Sequence, residues 1–107
     1  MNRIYSPLPQ VKYRPLPESL TIGESKIEGL GLFAKTKIIN NTVLGISHVK
    51  SENAEDGYVR TPLGGFINHS ENPNCIKKEN STNLYLKTIR DIEVGEELTL
   101  KYTIYKI

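Results

Sequence analysis

Two stretches of this chain carry residue types that could do chemistry: Asn68-His69 with Cys75 in the run from Gly64 to Cys75, and the pair Gly29-Leu30-Gly31. Asparagine and histidine supply donors and acceptors on one side chain, and glycines leave backbone bare for a ligand to approach. Taken singly, each reads as scaffold. A lone histidine in a turn is most simply structural, and His48, in the middle of a predicted strand, has no second histidine or carboxylate at metal-ligand spacing. The glycine pair lacks a third glycine, a following helix and a Gly-Lys-Ser/Thr run, which rules out a nucleotide-phosphate loop. Cys75 beside His69 suggests a nucleophile, yet it opens a predicted strand and no third group is apparent to orient such a pair.

The elements that must position these residues are short strands. Pro73, the glycines, the asparagines and Ser70 make residues 64–75 a compact irregular loop through which no regular element is expected to run. Residues 1–18 hold Pro7, Pro9, Pro15 and Pro17 and are predicted to form an extended arm ahead of a single domain over 19–107. Alternating or β-branched runs predict strands over 19–24, with Leu20 and Ile22 on one face, and over 30–34, 42–49, 75–79, 83–89 and 97–102. Leu98, Leu100 and Tyr102 would share one face of the last strand. A hairpin is expected around residues 80–83, and residues 51–57 are the predicted place for one helical turn. Residues 58–63 then lead through Pro62 into the loop. The fold class is mainly β with very little helix.

Composition narrows the class of function. A chain of 107 residues with 37% hydrophobic residues makes one modest core, and with no tryptophan in it a homodimer is a possible supplement. Fourteen basic against twelve acidic residues, interspersed, are not the basic tract of a direct nucleic-acid binder. One cysteine excludes an internal disulfide framework and a multi-cysteine zinc site. With neither a signal peptide nor an apolar run of about 18 residues, the chain reads as intracellular and off the membrane, and its three Asn-X-Ser/Thr triplets as unglycosylated.

Motifs along residues 28–105 occur in an order and spacing that change this reading. Glu28-Gly29-Leu30-Gly31-Leu32-Phe33-Ala34, then Phe66-Ile67-Asn68-His69-Ser70 with Pro73-Asn74-Cys75, then Gly95-Glu96-Glu97-Leu98-Thr99 through Tyr102, resemble the motifs of the SET-domain family of protein-lysine methyltransferases. The similarity spans about residues 19–105. It implies a β-clip-like fold of several small sheets with a C-terminal pseudoknot, in which the last segment threads beneath an earlier loop, against the usual avoidance of threading.

The resemblance also implies roles. Tyr102 matches the catalytic tyrosine, and Tyr105 and Phe66 would line a channel for the substrate lysine. Asn68 and His69 would hold the two ends of S-adenosylmethionine, Gly29, Leu30 and Gly31 would admit main chain to its methionine part, and Arg60 would pair with its carboxylate. No metal is implied. The implied partner is a protein or peptide with a target lysine. The reaction needs a neutral amine in line with a sulfonium methyl; deprotonating lysine at pH 7 costs roughly 4.6 kcal/mol if its pKa stays near 10.4, and an aromatic channel that penalises the cation reduces that cost.

The departures from the pattern are specific. The family's cysteine-rich zinc segment after the last motif is missing, so the channel wall is expected from residues 104–107, a second copy of the chain or the substrate. The segment before the central loop is short, and Lys101 stands where an acidic residue is common. These departures keep open an alternative, a catalytically weak module of this fold that binds peptide or cofactor without useful turnover.

Overall fold

The structure is a computed structural model that describes residues 16–55, 57–80 and 82–102. Most of the predicted arm lies outside these residues. The alternating runs become strands with ends trimmed by a residue or two. β1 (Leu20–Glu24) and β2 (Leu30–Ala34) form an antiparallel hairpin with Gly23 opposite Gly31. Its turn closes through the Ser25 N–H on the Gly29 carbonyl at 2.8 Å, with Gly29 in the left-handed region at φ 49°, where a side chain would be strained. β3 (Val43–Lys50) pairs with β4 (Tyr58–Arg60) and with β7 (Asn83–Thr88); β7 continues to β6 (Cys75–Glu79) across the predicted hairpin. The Oδ1 of Asn80 caps that turn by accepting the N–H groups of Thr82 and Asn83.

Two expectations about irregular segments are corrected. Among the described residues of 51–57 there is no helix: the Ser51 N–H bonds the Gly57 carbonyl, Gly57 takes φ 89°, and the stretch joins β3 to β4 as a hairpin connection instead. The helical turn lies downstream as α1 (Pro62–Gly65), so its end runs into the loop expected to be irregular. Thr61 caps it, accepting the Gly64 N–H on its hydroxyl, and Pro62 occupies the first turn, where no N–H is needed. α1 packs on β3 so tightly that a Cβ on Gly64 would sit 2.3 Å from the Ser47 carbonyl oxygen. The same loop also contains a two-residue strand, β5 (Asn68–His69).

β8 (Glu97–Leu100) is the hub. The strand order is β1-β2-β8-β6-β7-β3-β4, with β5 attached to β8 in parallel, Asn68 opposite Thr99 and His69 opposite Leu100. β8 therefore lies between the hairpin of residues 20–34 and the loop of residues 68–75. Its alternation does not leave one face wet: Leu98, Thr99 and Leu100 are all buried, because both faces are covered. The strand also ends two residues before Tyr102. By contrast β1 is an outer strand, and Ile22, expected to share Leu20's buried face, is exposed. Leu32, Ile67, Leu86, Ile92 and Leu98 form the centre of the core. Each such side chain contributes about 2 kcal/mol by leaving water.

Asn74 fastens the loop to the hub. It is buried; its Oδ1 accepts the Thr99 N–H at 2.8 Å, its Nδ2 donates to the Glu97 carbonyl at 2.9 Å, and its own N–H reaches the Thr99 hydroxyl. Backbone groups that the turn at Pro73 leaves without ladder partners are thus satisfied by one amide side chain.

Candidate active site

Pairing β5 with β8 sets Asn68 against the β1–β2 hairpin. Its Nδ2 lies within hydrogen-bonding distance of three acceptors: the Glu28 carbonyl at 3.1 Å, the Leu30 carbonyl at 3.2 Å and Glu97 Oε2 at 2.9 Å. An amide nitrogen has two hydrogens, so one is shared among them. The Glu97 carboxylate also accepts the hydroxyl of Ser25, at 2.8 and 2.9 Å to its two oxygens. Gly31 makes room for this arrangement, since a Cβ would come within 2.2 Å of Glu97 Oε2 and 3.1 Å of Asn68 Nδ2 and would displace the carboxylate from it. Gly29 differs: nothing lies within 4 Å of where its Cβ would be, so that side of the backbone is open. The result is a cluster of main-chain and carboxylate oxygens with one exposed flank.

Tyr102 stands on the other side of the loop. Its hydroxyl donates to the carbonyl of Ile67, the residue just before Asn68. Its backbone N–H donates to Nδ1 of His69 at 2.9 Å, and the two rings meet edge to face at 5.2 Å between centroids. The other ring nitrogen of His69 lies 2.7 Å from Glu71 Oε2, and Lys101 Nζ lies 3.4 Å from Glu71 Oε1. The histidine contact, then Lys101, holds the Glu71 carboxyl below the usual carboxylate range. Partial burial raises the Tyr102 phenol above its ordinary value; Arg60 opposes that shift and Glu28 adds to it. The hydroxyl is therefore protonated, and able to donate, at neutral pH.

The structure thus brings Gly31, Leu30 and Asn68 into one cluster, with Gly29 at its open edge, and places His69 and Tyr102 in contact beside it. Arg60, exposed on β4, reaches this region by its charge on the phenol and makes none of the contacts that tie Asn68 to residues 28–31. Phe66 caps the end of α1 and packs, half buried, on the core. Tyr105 lies outside the described residues. Sequence reasoning missed Glu97 and Ser25, whose 72-residue separation hides their contact, and Glu71, which looks like one more polar loop residue. The Gly-Glu-Glu motif was the available signal for Glu97.

Two other reactive side chains are accounted for. Burial pushes the Cys75 thiol up to about 12, which removes the thiolate a nucleophile requires. His48 is buried with Nδ1 2.9 Å from the Ser47 hydroxyl and its ring edge to face with Tyr58. Among the described residues no three His, Cys, Asp or Glu side chains gather as a metal site requires.

Comparisons with known proteins bear on the family and the fold. The SET-domain family profile matches residues 41–103, a span that contains the central loop, β8 and Tyr102 but not the 28–34 motif. The human histone-lysine N-methyltransferase SMYD3 is 46% identical over 52 residues, 49% of this chain and 12% of that protein. The H3 lysine-4 specific histone-lysine N-methyltransferase of Schizosaccharomyces pombe is 31% identical over 79% of this chain and 13% of its own length. The chain thus spans about an eighth of the length of these relatives. Among solved structures, a candidate histone methyltransferase of Plasmodium falciparum superposes with a TM-score of 0.66 at 20% identity, covering 81% of this chain and 95% of that one. The methyltransferase domain of human PR domain-containing protein 2 gives 0.62 at 20% identity over 83% and 80%. These neighbours share the mainly β, curled-sheet fold, and by the profile match the chain belongs to the SET-domain family.

Proposed function

We propose that this chain is a protein-lysine N-methyltransferase that uses S-adenosylmethionine. The observation that carries the reading is the convergence of the Tyr102 hydroxyl on the Ile67 carbonyl, one residue from Asn68 and its oxygen-rich cluster, in a chain of this family. The residues fit the cofactor. The carbonyls of Glu28 and Leu30 and the Glu97 carboxylate suit its ammonium, the open side of Gly29 gives its amino-acid end an approach, and Asn68 and His69 supply further polar contacts. Arg60, whose charge reaches the Tyr102 phenol, is a cation available for its carboxylate.

When bound, S-adenosylmethionine supplies an electrophilic methyl on a sulfonium. The protein's work is positioning. Tyr102 and the Ile67 carbonyl would form one rim of the transfer point: the hydroxyl would orient the substrate amine, and the carbonyl oxygen could accept weak C–H···O contacts from a polarised methyl. The half-exposed tyrosine ring would be covered by an arriving substrate, and that apolar contact would disfavour the ammonium form of its lysine. By analogy with the histone-lysine relatives, the substrate class is a lysine-bearing, basic protein segment.

The test has two arms. A saturable thermal shift with S-adenosylmethionine is expected, worth about 2.7 kcal/mol at a hundred times the dissociation constant. Radiolabelled cofactor with a peptide array should then label lysine peptides. No shift at high cofactor concentration sinks the cofactor assignment; a shift without any label favours the binding-module alternative.

A further inference from the structure

β8 stops at Leu100, so the N–H of Tyr102 has no strand partner and is received instead by the imidazole of His69. A neutral imidazole carries a single N–H. If a carboxylate takes that hydrogen at Nε2, the lone pair is left at Nδ1, and this is the nitrogen to which Tyr102 donates. Glu71 stands at Nε2 with one oxygen, while Lys101 stands at the other. We infer that Glu71 is a positioning residue for Tyr102, acting through one tautomer of His69, with Lys101 steadying the carboxylate.

The arrangement gives the Tyr102 ring two anchors, one at each end. The hydroxyl is held at the Ile67 carbonyl and the backbone N–H at His69, so loss of the second leaves the ring free to pivot about the first. His69 and Glu71 come from the loop and Lys101 and Tyr102 from the segment after β8, so the four residues clasp two strands of the chain together just beyond the point where their ladder ends. The remaining charges that act on the phenol are Glu28 and Arg60, which approach from the hairpin turn and from β4. The proposal rests on the reading of Tyr102 as the residue at the transferring methyl.

Amide hydrogen exchange on the whole chain tests the relay without any substrate. Glu71→Ala should lower protection of the Tyr102 N–H about two- to fivefold, the range of an exposed charged pair. The Ser70 N–H, which donates to the Leu100 carbonyl at 3.1 Å, reports β5–β8 pairing and should be unchanged. Glu71→Gln keeps an oxygen for Nε2–H and should retain most of the protection. Equal loss at Ser70 and Tyr102, no loss at Tyr102, or a glutamine variant as poor as the alanine variant would each overturn the inference. In methyl transfer, Glu71→Ala should lower kcat by the same factor with KM for the substrate unchanged; an unchanged kcat beside reduced protection would reject the positioning role. Failure of the wild-type chain to transfer methyl to any substrate rejects the proposed reaction instead, and the exchange data still decide the relay.

Discussion

Two polar clusters flank the central loop, and they are built differently. Around Asn68, three segments far apart in sequence meet, the hairpin with Ser25 and Gly31, the loop with Asn68, and β8 with Glu97, and β2 and β8 are bonded on both sides by ladders. Around Tyr102 the ladder has ended: half of the side chain is exposed, and it is held by one carbonyl, one imidazole and the ion pair behind that imidazole. The first cluster is preorganised by the fold. The second depends on a few contacts with water around them, which suits the role proposed for Tyr102, meeting a substrate that arrives from solvent and leaves again.

The sharpest way to separate the two is Tyr102→Phe, which removes one hydroxyl. Methyl transfer should fall about a hundredfold or more while cofactor affinity stays within about twofold, since the Asn68 cluster is untouched; radiolabel transfer and calorimetry read the two quantities. A parallel loss of affinity would show that the clusters are not independent. Next in size is Asn74→Ala, which leaves the Thr99 N–H and Glu97 carbonyl unpaired in the interior and should cost about 3 kcal/mol in urea unfolding. Gly64→Ala should follow at about 2 kcal/mol, because backbone rather than a pliable side chain lies in its way, whereas Gly65→Ala, with open space around it, should change stability by less than about 0.5 kcal/mol. The smallest effect at neutral pH concerns Cys75. Its folded value is raised, so its contribution to stability is complete below 9.0, the ordinary thiol value, and declines as pH rises toward about 12. Alkylation at pH 8 should accordingly track global unfolding, and fast labelling of the native protein would contradict the burial of this end of the loop.

Much of the scaffold was legible in the residues. Leu30–Ala34 and Cys75–Glu79 were read to the residue, because glycine and polar turns bound β-rich runs there. α1 was not legible: Pro, Leu, Gly and Gly are poor helix formers, and what stabilises the turn is the Thr61 cap and its contact with β3, both set by tertiary structure. β5 is too short to show alternation and exists because β8 runs beside it. For the site, the resemblance of the motifs pointed to Asn68, His69 and Tyr102, whose residue types alone read as scaffold, but nothing in a linear chain announces that Glu97 lies against Ser25 and Asn68, or that Glu71 faces the imidazole.

The position of β8 has a consequence for how the molecule assembles. Its partners lie in β2 on one side and in β5 and β6 on the other, so the last of the described strands is an interior strand of the finished sheet. During synthesis or refolding, β2 and β6 must wait with open edges for a segment that arrives late. Such non-local closure belongs to the slow range of small-domain folding, milliseconds to seconds, and the waiting edges are where intermolecular strand pairing would begin. Neither polar cluster exists before that insertion, because Glu97 lies on β8 and Tyr102 just beyond it.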